Sequence, residues 1–421
     1  MIGSGGREHA LAWRLAQSPS CDRLYAVPGN PGIAQEAQLV DLNIADHAAV
    51  AAFCSGHDIG LVVVGPEAPL VAGLADDLRS AGVAVFGPGA QAAQLEGSKR
   101  FTKEICACAG VPTAAYEHYD NKSEALAGLE AFGLPVVIKA DGLAAGKGVI
   151  IAETHDQACA AIEYMFGGGF GGAGASVVIE AFMAGEEVSF FALTDGKDIV
   201  AFGSAQDHKR VGERDTGPNT GGMGAYSPAA VLTPALEAQV MAEIIAPTVE
   251  MMANKGMAYI GILFAGLMLT REGPKLIEYN CRFGDPECQV LMMRFEGDLA
   301  ALLHATAVGT LAQAGAAQFS NRAALTVVMA AKGYPATPRT GGLVGIGDTA
   351  AARVFHGGTA LRGGRLVANG GRVLSVTACG TSVTAAQSAA YAAVDAISFP
   401  QGFCRRDIGW REVARENAAQ Q

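Results

Sequence analysis

Apolar runs and polar breaks alternate along the first hundred residues, and the alternation predicts strand, turn and helix in succession. Met1-Ile2 leads into a glycine turn, Gly3-Ser-Gly-Gly6, and a helix is expected over 8–18. Leu61-Val-Val-Val64 is an unbroken apolar run, the pattern of a strand buried on both faces, and it ends in Gly65-Pro66-Glu67. A helix near 70–79 and a strand over 83–86, ending in Gly87-Pro88, follow. Such β-α-β alternation predicts a doubly wound parallel sheet with ligands at the carboxyl ends of its strands. The glycine turn, the Gly65-Pro66-Glu67 turn and Pro28-Gly-Asn-Pro-Gly32 should then share one rim. Met1-Ile2 is short for a strand of the usual five or so residues. The expectation is that the natural chain carries a longer apolar strand upstream, and that without it neighbouring backbone groups lack partners.

From Ser98 the pattern changes. A helix is expected over Lys99 to Ala109, a strand over Pro135 to Lys139, and a second strand over Val149 to Ala152. Between them runs Ala140-Asp-Gly-Leu-Ala-Ala-Gly-Lys-Gly148, a glycine loop with a lysine before it and another within it. The spacing is one residue short of a P-loop, and a strand follows instead of a helix. The pattern suits a hairpin flap closing over ATP, with Lys139 on the inner phosphates and Lys147 on the outer ones. A solvated hairpin with exposed lysines gives the same pattern. Gly167 to Gly174 is low in complexity and reads as a loop. Strands at 176–180, 187–193 and 199–205 lead to a glycine-laden stretch from Gln206 to Ala225 that carries Lys209, Arg210 and Arg214. It reads either as a surface loop or as a close-fitting substrate loop. His208 within it is expected to be a hydrogen-bonded structural histidine. A helix over 235–254, an apolar strand over 259–269 and a strand entering Asn280 complete this unit. The polar stretch 315–322 looks like a boundary. Beyond it lie short glycine-punctuated strands and a helix over 383–397, with no catalytic constellation expected. The division is 1–97, 98–318 (with a flap at about 112–190) and 319–421. The fold class is multidomain α/β and α+β: an N-terminal doubly wound parallel sheet, a central nucleotide-grasping fold and a small C-terminal α+β domain.

Composition narrows the partners. The chain has 421 residues, half of them hydrophobic, and a net charge of −11. An acidic chain is a poor general binder of nucleic acid, because phosphate backbones need a basic field. The nine cysteines are scattered without a Cys-x-x-Cys pair, which argues against a structural zinc site or a disulfide framework and favours a reducing cytoplasm. Cys281 and Cys288 read as small buried filler. No apolar run is long enough to span a bilayer, so no membrane partner is expected, and a monomer is. Gly3-x-Gly5 has Glu8 where a third glycine would stand, so a dinucleotide site is rejected. A sugar-phosphate at the helix N-terminus, or a tight turn with no ligand, both remain open.

The most informative segment is Leu276-Ile-Glu-Tyr-Asn-Cys-Arg-Phe-Gly-Asp-Pro-Glu287. Strand alternation puts Glu278 and Asn280 on one face. A carboxylate and an amide oxygen side by side suit a hard cation, Mg²⁺ or Mn²⁺, that also holds phosphate oxygens. A solvated strand face has the same spacing. The two lysine-bearing segments upstream favour the metal, in a site that activates a carboxylate with ATP.

With these residues assembled, the chain resembles the glycinamide ribonucleotide synthetase (phosphoribosylamine–glycine ligase) family of the ATP-grasp superfamily. The likeness runs nearly end to end: Gly5-Gly-Arg-Glu-His9, Pro28-Gly-Asn-Pro-Gly32, Gly65-Pro-Glu-Ala-Pro-Leu70, Lys139 to Gly148, Gln206-Asp-His-Lys-Arg210, Gly217 to Gly224, and Arg282-Phe-Gly-Asp-Pro-Glu287. In the last domain Ala331-Lys-Gly-Tyr-Pro335, Asn369-Gly-Gly-Arg-Val373 and Arg405-Arg-Asp-Ile-Gly409 also fit. The resemblance implies ATP-dependent ligation of glycine to 5-phosphoribosylamine in purine biosynthesis, through glycyl phosphate, giving glycinamide ribonucleotide, ADP and phosphate. It implies Lys99, Lys139, Lys147, Glu180, Phe182 and Glu187 as ATP contacts, with Glu180 and Phe182 in the adenine hinge and Glu187 on the ribose. It implies Arg282, Lys147 and Asp285 as the catalytic group. Arg282 and the loop Gly221, Gly222, Met223 and Gly224 would hold glycine and its acyl phosphate. The rim residues Gly5, Gly6, Arg7, Glu8, Asn30, Pro66 and Glu67, with Asp207, Lys209 and Arg210, would hold phosphoribosylamine. Against the family pattern stand the short first strand, Cys288, and Ala336-Thr-Pro-Arg339 after Pro335. Two rivals remain: a sister ATP-grasp ligase for formate or another acid, and a module that binds ATP without turnover.

Overall fold

The computed structural model describes residues 1–142, 148–169 and 174–419. Tyr25–Pro28 pairs in parallel with Ile2–Gly3 on one side and Gln38–Leu39 on the other. Val62–Val63 pairs in parallel with Val85–Phe86, and a parallel bridge from Ile2 to Val64 joins the two halves. The strand before the glycine turn is therefore central, as a doubly wound sheet requires. The backbone groups that a short strand was expected to orphan find partners. The Met1 amine donates to Tyr25 O (2.9 Å), Val27 N–H donates to Met1 O (2.9 Å), and Gly65 N–H donates to Ile2 O (3.0 Å). The helix expected over 8–18 is Gly6–Leu15. The one expected near 70–79 is split into Glu67–Val71 and Leu74–Ser80, because Gly73 turns left-handed at φ +89°.

The flap is a four-stranded antiparallel sheet in the order Tyr116–Tyr119, Val177–Ala181, Val136–Ala140, Val149–Ala152. Its apolar face, with Val136, Ile138, Val177 and Ile179, packs on the helix His155–Tyr164 through Ala158, Ala161 and Ile162. The large sheet runs Gly273–Asn280, Ile260–Thr270, Glu186–Asp195, Ile199–Asp207, Gly224–Ser227, Ala323–Ala331, Arg372–Gly380, Arg353–His356, with Gly402–Phe403 also pairing with Ala323–Ala331. The boundary read at 315–322 is a break in sequence pattern but not in hydrogen bonding. Gly224–Ser227 pairs antiparallel with Ala323–Ala331, so one sheet carries the chain into its C-terminal part. Helix Glu287–Arg294 packs between the N-terminal helix Gly6–Leu15 and the strands on both sides of that junction. The loop Arg282–Pro286 at its N-terminus accordingly lies where all three parts meet. Among the described residues no helix is long and apolar enough to cross a membrane.

Candidate active site

Arg282 is the hub of that loop. Its guanidinium meets Glu96 (2.8 Å), Glu67 (3.4 Å) and the carbonyl of Phe283 (3.3 Å). Burial works against the charge, but Glu96 and Glu67 outweigh it and raise the pKa. The same Phe283 carbonyl accepts from Arg7 (3.0 Å), so the N-terminal helix is tied to the loop. Arg7 also pairs with Glu8 (2.6 Å), whose other oxygen accepts from Gly5 N–H (2.6 Å). Glu8 fills the space beneath Gly3 and Gly65, where any Cβ would collide with it. The rim expected from the turn positions is thus real, with Glu67 heading the helix after Pro66. Asn30 is spent on the scaffold. Its amide donates to the Ser4 and His356 carbonyls and its oxygen accepts from Gly32 and Ile33 N–H, all at 2.8–2.9 Å.

Next to the hub lies an acidic cluster. Glu278 and Asn280 share a face of their strand, as alternation requires. Among the described residues the Glu278 carboxylate takes no hydrogen bond or ion pair. Burial opposes its ionisation, yet the field of Lys209, Lys99, Lys139 and Arg282 holds its pKa below the usual carboxylate range. Lys209 pairs with Glu187 (2.8 Å), and despite burial Glu187, Asp207 and Glu278 keep it strongly protonated. Asp207 is the opposite case. Burial pushes it up to about 8, with Glu287, Glu187 and Glu278 adding to the shift and Lys209 opposing it. Glu187, Asp207 and Lys209 line one narrow cleft with Ser189, Gly266 and Ile277. Carboxylates outnumber the lysine here, so the cluster has room for added positive charge. No group of three or more His, Cys, Asp or Glu forms a metal cage among the described residues. One carboxylate and one amide oxygen instead fit a cation that keeps waters and phosphate oxygens as its other ligands, which is the habit of Mg²⁺.

The lysine side is closed. Lys139 ends its strand with its ammonium on Glu180 (2.9 Å) and the Ile277 carbonyl (3.1 Å). Lys103, which sequence reasoning missed, reaches Glu180 from the helix Lys99–Ala109 at 3.2 Å and donates to Thr113 Oγ1 (2.7 Å). Burial lowers its pKa against the pull of Glu180. The Glu180 carboxylate is therefore held by two lysines, while Phe182 beside it is exposed. Lys99 opens that helix and its N–H donates to Asp141 (2.6 Å), which docks the flap strand on the helix. Lys147 lies outside the described residues.

The C-terminal part, where no constellation was expected, reaches into the site. Arg372 holds the carbonyls of Gly221 and Asp285 together and pairs with the Asp285 carboxylate (3.4 Å). Burial would raise the Asp285 pKa, but Arg372, Arg7 and the Gln289 bond (2.9 Å) hold it below its ordinary value. Tyr334 accepts from Gly221 N–H (3.0 Å), and Ser375 lies 3.3 Å from Gln289. Gly222 is required: it sits at φ +107°, and a Cβ there would strike Pro286. Met223 is buried, and Gly224 packs on Thr326 and Ile408. Arg210 donates to Gly217 O (2.7 Å), within its own hairpin. His208 is structural, as expected: Nε2 accepts from Gly409 N–H (3.0 Å), and burial lowers its pKa to about 4. Cys281 and Cys288 are buried filler.

A flap sheet closing over a large antiparallel sheet, with lysines on one side and Glu278-x-Asn280 on the other, defines an ATP-grasp ligase. The phosphoribosylglycinamide synthetase N domain matches residues 1–96, its ATP-grasp (A) domain residues 97–288 and its C domain residues 324–411. The phosphoribosylamine–glycine ligase of Mesorhizobium japonicum is 60% identical over 422 residues, covering 100% of this chain and 99% of that protein. That of Vibrio cholerae is 51% identical, covering 99% of each. The crystal structure of phosphoribosylamine–glycine ligase from Thermotoga maritima superposes with a TM-score of 0.85 at 31% identity, over 97% of this chain and 98% of that one. The biotin carboxylase domain of a Hydrogenobacter thermophilus 2-oxoglutarate carboxylase, solved with MgADP and bicarbonate, shares the fold at 17% identity, with a TM-score of 0.70 over 96% of this chain and 90% of that one. The chain belongs to the phosphoribosylamine–glycine ligase family.

Proposed function

We propose that this protein joins glycine to 5-phosphoribosylamine at the expense of ATP, in purine biosynthesis, through a glycyl phosphate. A glycine carboxylate oxygen attacks the γ-phosphorus of ATP and ADP leaves. The amine of phosphoribosylamine then attacks the acyl carbon, and phosphate departs with that carboxylate oxygen. Carboxylate is a poor acyl donor, so it must first gain a leaving group. That step needs positioning and charge neutralisation more than a protein nucleophile. In this reading Lys139, Lys99 and Lys147 are assigned to the phosphates, and the hinge at Glu180–Phe182 and Glu187 to the nucleoside. Glu278 and Asn280 hold Mg²⁺ or Mn²⁺, which when bound supplies positive charge to the phosphoryl oxygens. Arg282, Asp285 and Gly221–Gly224 hold glycine and its acyl phosphate. Arg7, Glu8, Glu67 and Lys209 border phosphoribosylamine, and Asn30 shapes its rim.

The observation that supports this reading most is the ionised, unpartnered Glu278 beside the acidic cleft, in a chain of this family. ADP release should require glycine and phosphoribosylamine together. Glycine labelled with ¹⁸O in its carboxylate should deliver one ¹⁸O into the released phosphate. Unlabelled phosphate would rule out the acyl phosphate. Equal turnover with formate and glycinamide ribonucleotide would favour the sister-ligase reading, and ADP release without glycine would remove the ligation itself.

A further inference from the structure

Arg405 has the largest fully buried side chain among the described residues, at 1% exposure, and the reaction gives it no task. It stands on the C-terminal segment after the last strand of the large sheet. Its guanidinium forks onto Asp407 (2.8 and 2.9 Å), meets Asp215 (3.0 Å), and donates to the Arg210 carbonyl (3.0 Å). Two of these contacts cross to the hairpin Arg210–Gly212/Thr216–Asn219, almost two hundred residues earlier.

That hairpin cannot hold its own shape. Its strands have three and four residues, and its register shifts between Arg210 and Gly212. A two-stranded ribbon of this size is marginal by itself. At its tip Arg214 (φ 53°) and Asp215 (φ 58°) are consecutive non-glycine residues in left-handed conformation, which L side chains disfavour. The C-terminal segment supplies what the hairpin lacks. Asp407 accepts from Arg214 N–H (2.7 Å), Arg411 pairs with Asp215 (2.8 Å), and Trp410 lies 4.8 Å under the Arg214 guanidinium. At its base the hairpin is clasped by Thr220, whose N–H and hydroxyl both donate to Lys209 O (2.8 Å each). One side of that clasp leads to Lys209 in the acidic cleft and the other to Gly221–Gly224. A shift of the hairpin therefore moves both.

We propose that Arg405 is a positioning residue for the ligation: it sets the Arg210–Asn219 hairpin, and through the Lys209–Thr220 clasp it fixes Lys209 and the Gly221–Gly224 loop. The role rests on the function proposed above, since those two segments are assigned there to glycine and phosphoribosylamine. The lysine cluster on Glu180, which faces ATP, shares no residue with the hairpin.

The test uses the full chain as Arg405→Lys, Arg405→Met and the milder Asp215→Asn. Kinetics are measured for each substrate, and tryptic cleavage after Arg214 is followed with no substrate present. Arg405→Met removes all four guanidinium contacts and should raise KM for glycine or phosphoribosylamine about tenfold, and Asp215→Asn, which weakens one of them, should raise it less; KM for ATP should rise less than either, since only the Lys209–Glu187 pair (2.8 Å) links the hairpin to the nucleoside contacts. Arg405→Lys should recover part of the loss. Cleavage after Arg214 should quicken in the same order. Equal increases in all three KM values, or unchanged cleavage in folded Arg405→Met and Asp215→Asn, overturn the proposal. Should Arg405→Met fail to fold, Asp215→Asn decides alone by the same two readings. Wild-type protein that does not ligate glycine refutes the function instead, and the cleavage order still tests the hairpin anchor.

Discussion

Two ionic clusters meet at Ile277, whose carbonyl accepts from Lys139 (3.1 Å) and which lines the cleft of Glu187, Asp207 and Lys209, and they use their charges differently. Around Glu180, two buried lysines converge on one carboxylate, and further bonds to Thr113 and Ile277 occupy both ammonium groups. Around Glu278, Asp207 and Glu187, the single lysine pairs with Glu187 alone, and Glu278 keeps no protein partner among the described residues. In the first cluster both ammonium groups are answered by protein groups, which ties the flap strand to the helix Lys99–Ala109. The second is incomplete, so it stores a charge imbalance that a cation and substrate can relieve. The difference teaches where to look for chemistry in this fold: at carboxylates the protein leaves unanswered, more than at those it buries deepest.

Three substitutions break or sharpen the contrast. Glu278→Ala should have the largest effect, lowering kcat by about 10²–10³-fold, the usual cost of losing one preorganised charge-stabilising group. Its urea midpoint should stay near that of the wild type, since an unpartnered carboxylate contributes little to folding. Near-normal turnover at saturating Mg²⁺ would refute the metal assignment. Glu180→Ala should lower stability as well as ATP binding. Leaving two buried lysines unanswered costs about 3–5 kcal/mol, read from urea unfolding. A stable Glu180→Ala protein would show that the lysines find other partners.

The smallest effect has the opposite sign. Asp207 is pushed up to about 8, against about 3.9 in an unfolded chain. Between those values the folded protein holds a proton that the unfolded chain has released, so this group lowers stability as pH rises through the window. Asp207→Asn removes the titration. In magnesium-free buffer at pH 8 the variant should melt about two to four degrees above the wild type, and near pH 4 the two should coincide. A lower melting point at pH 8 would mean that Asp207 is ionised and already paired there.

Much of this was legible from spacing. The helix Lys99–Ala109 falls where the pattern predicts it, because Ser98 caps it and Gly110 ends it left-handed. Glu278-x-Asn280 share a strand face by period alone. Lys103 was missed although it left a trace: it stands three residues before Cys106, on the buried side of its helix. Arg372 and Tyr334 left none. They meet Gly221 across 151 and 113 residues, and no local pattern marks such a meeting. The strand pairing that spans the polar stretch 315–322 is likewise unmarked in the sequence. A polar stretch marks where the chain leaves a core, but the edge of Gly224–Ser227 was still open to a later strand.

By itself the sequence determined the order of strands and helices, the glycines that let backbone turn tightly, and the types of side chain available for phosphate and metal. Those follow from residue-level sterics and from the two- and 3.6-residue periods, which are local. Only the tertiary structure decided which charges are spent and which stay free. Glu180 and Glu278 are both strand carboxylates; Asn280 two residues on marks Glu278 as a candidate ligand, but nothing along the chain shows that Glu180 is taken up by two lysines and, among the described residues, Glu278 by none. Desolvation and Coulomb fields act through space, so the distinction exists only once Lys103, Lys139 and Ile277 have closed around one carboxylate and left the other facing the cleft.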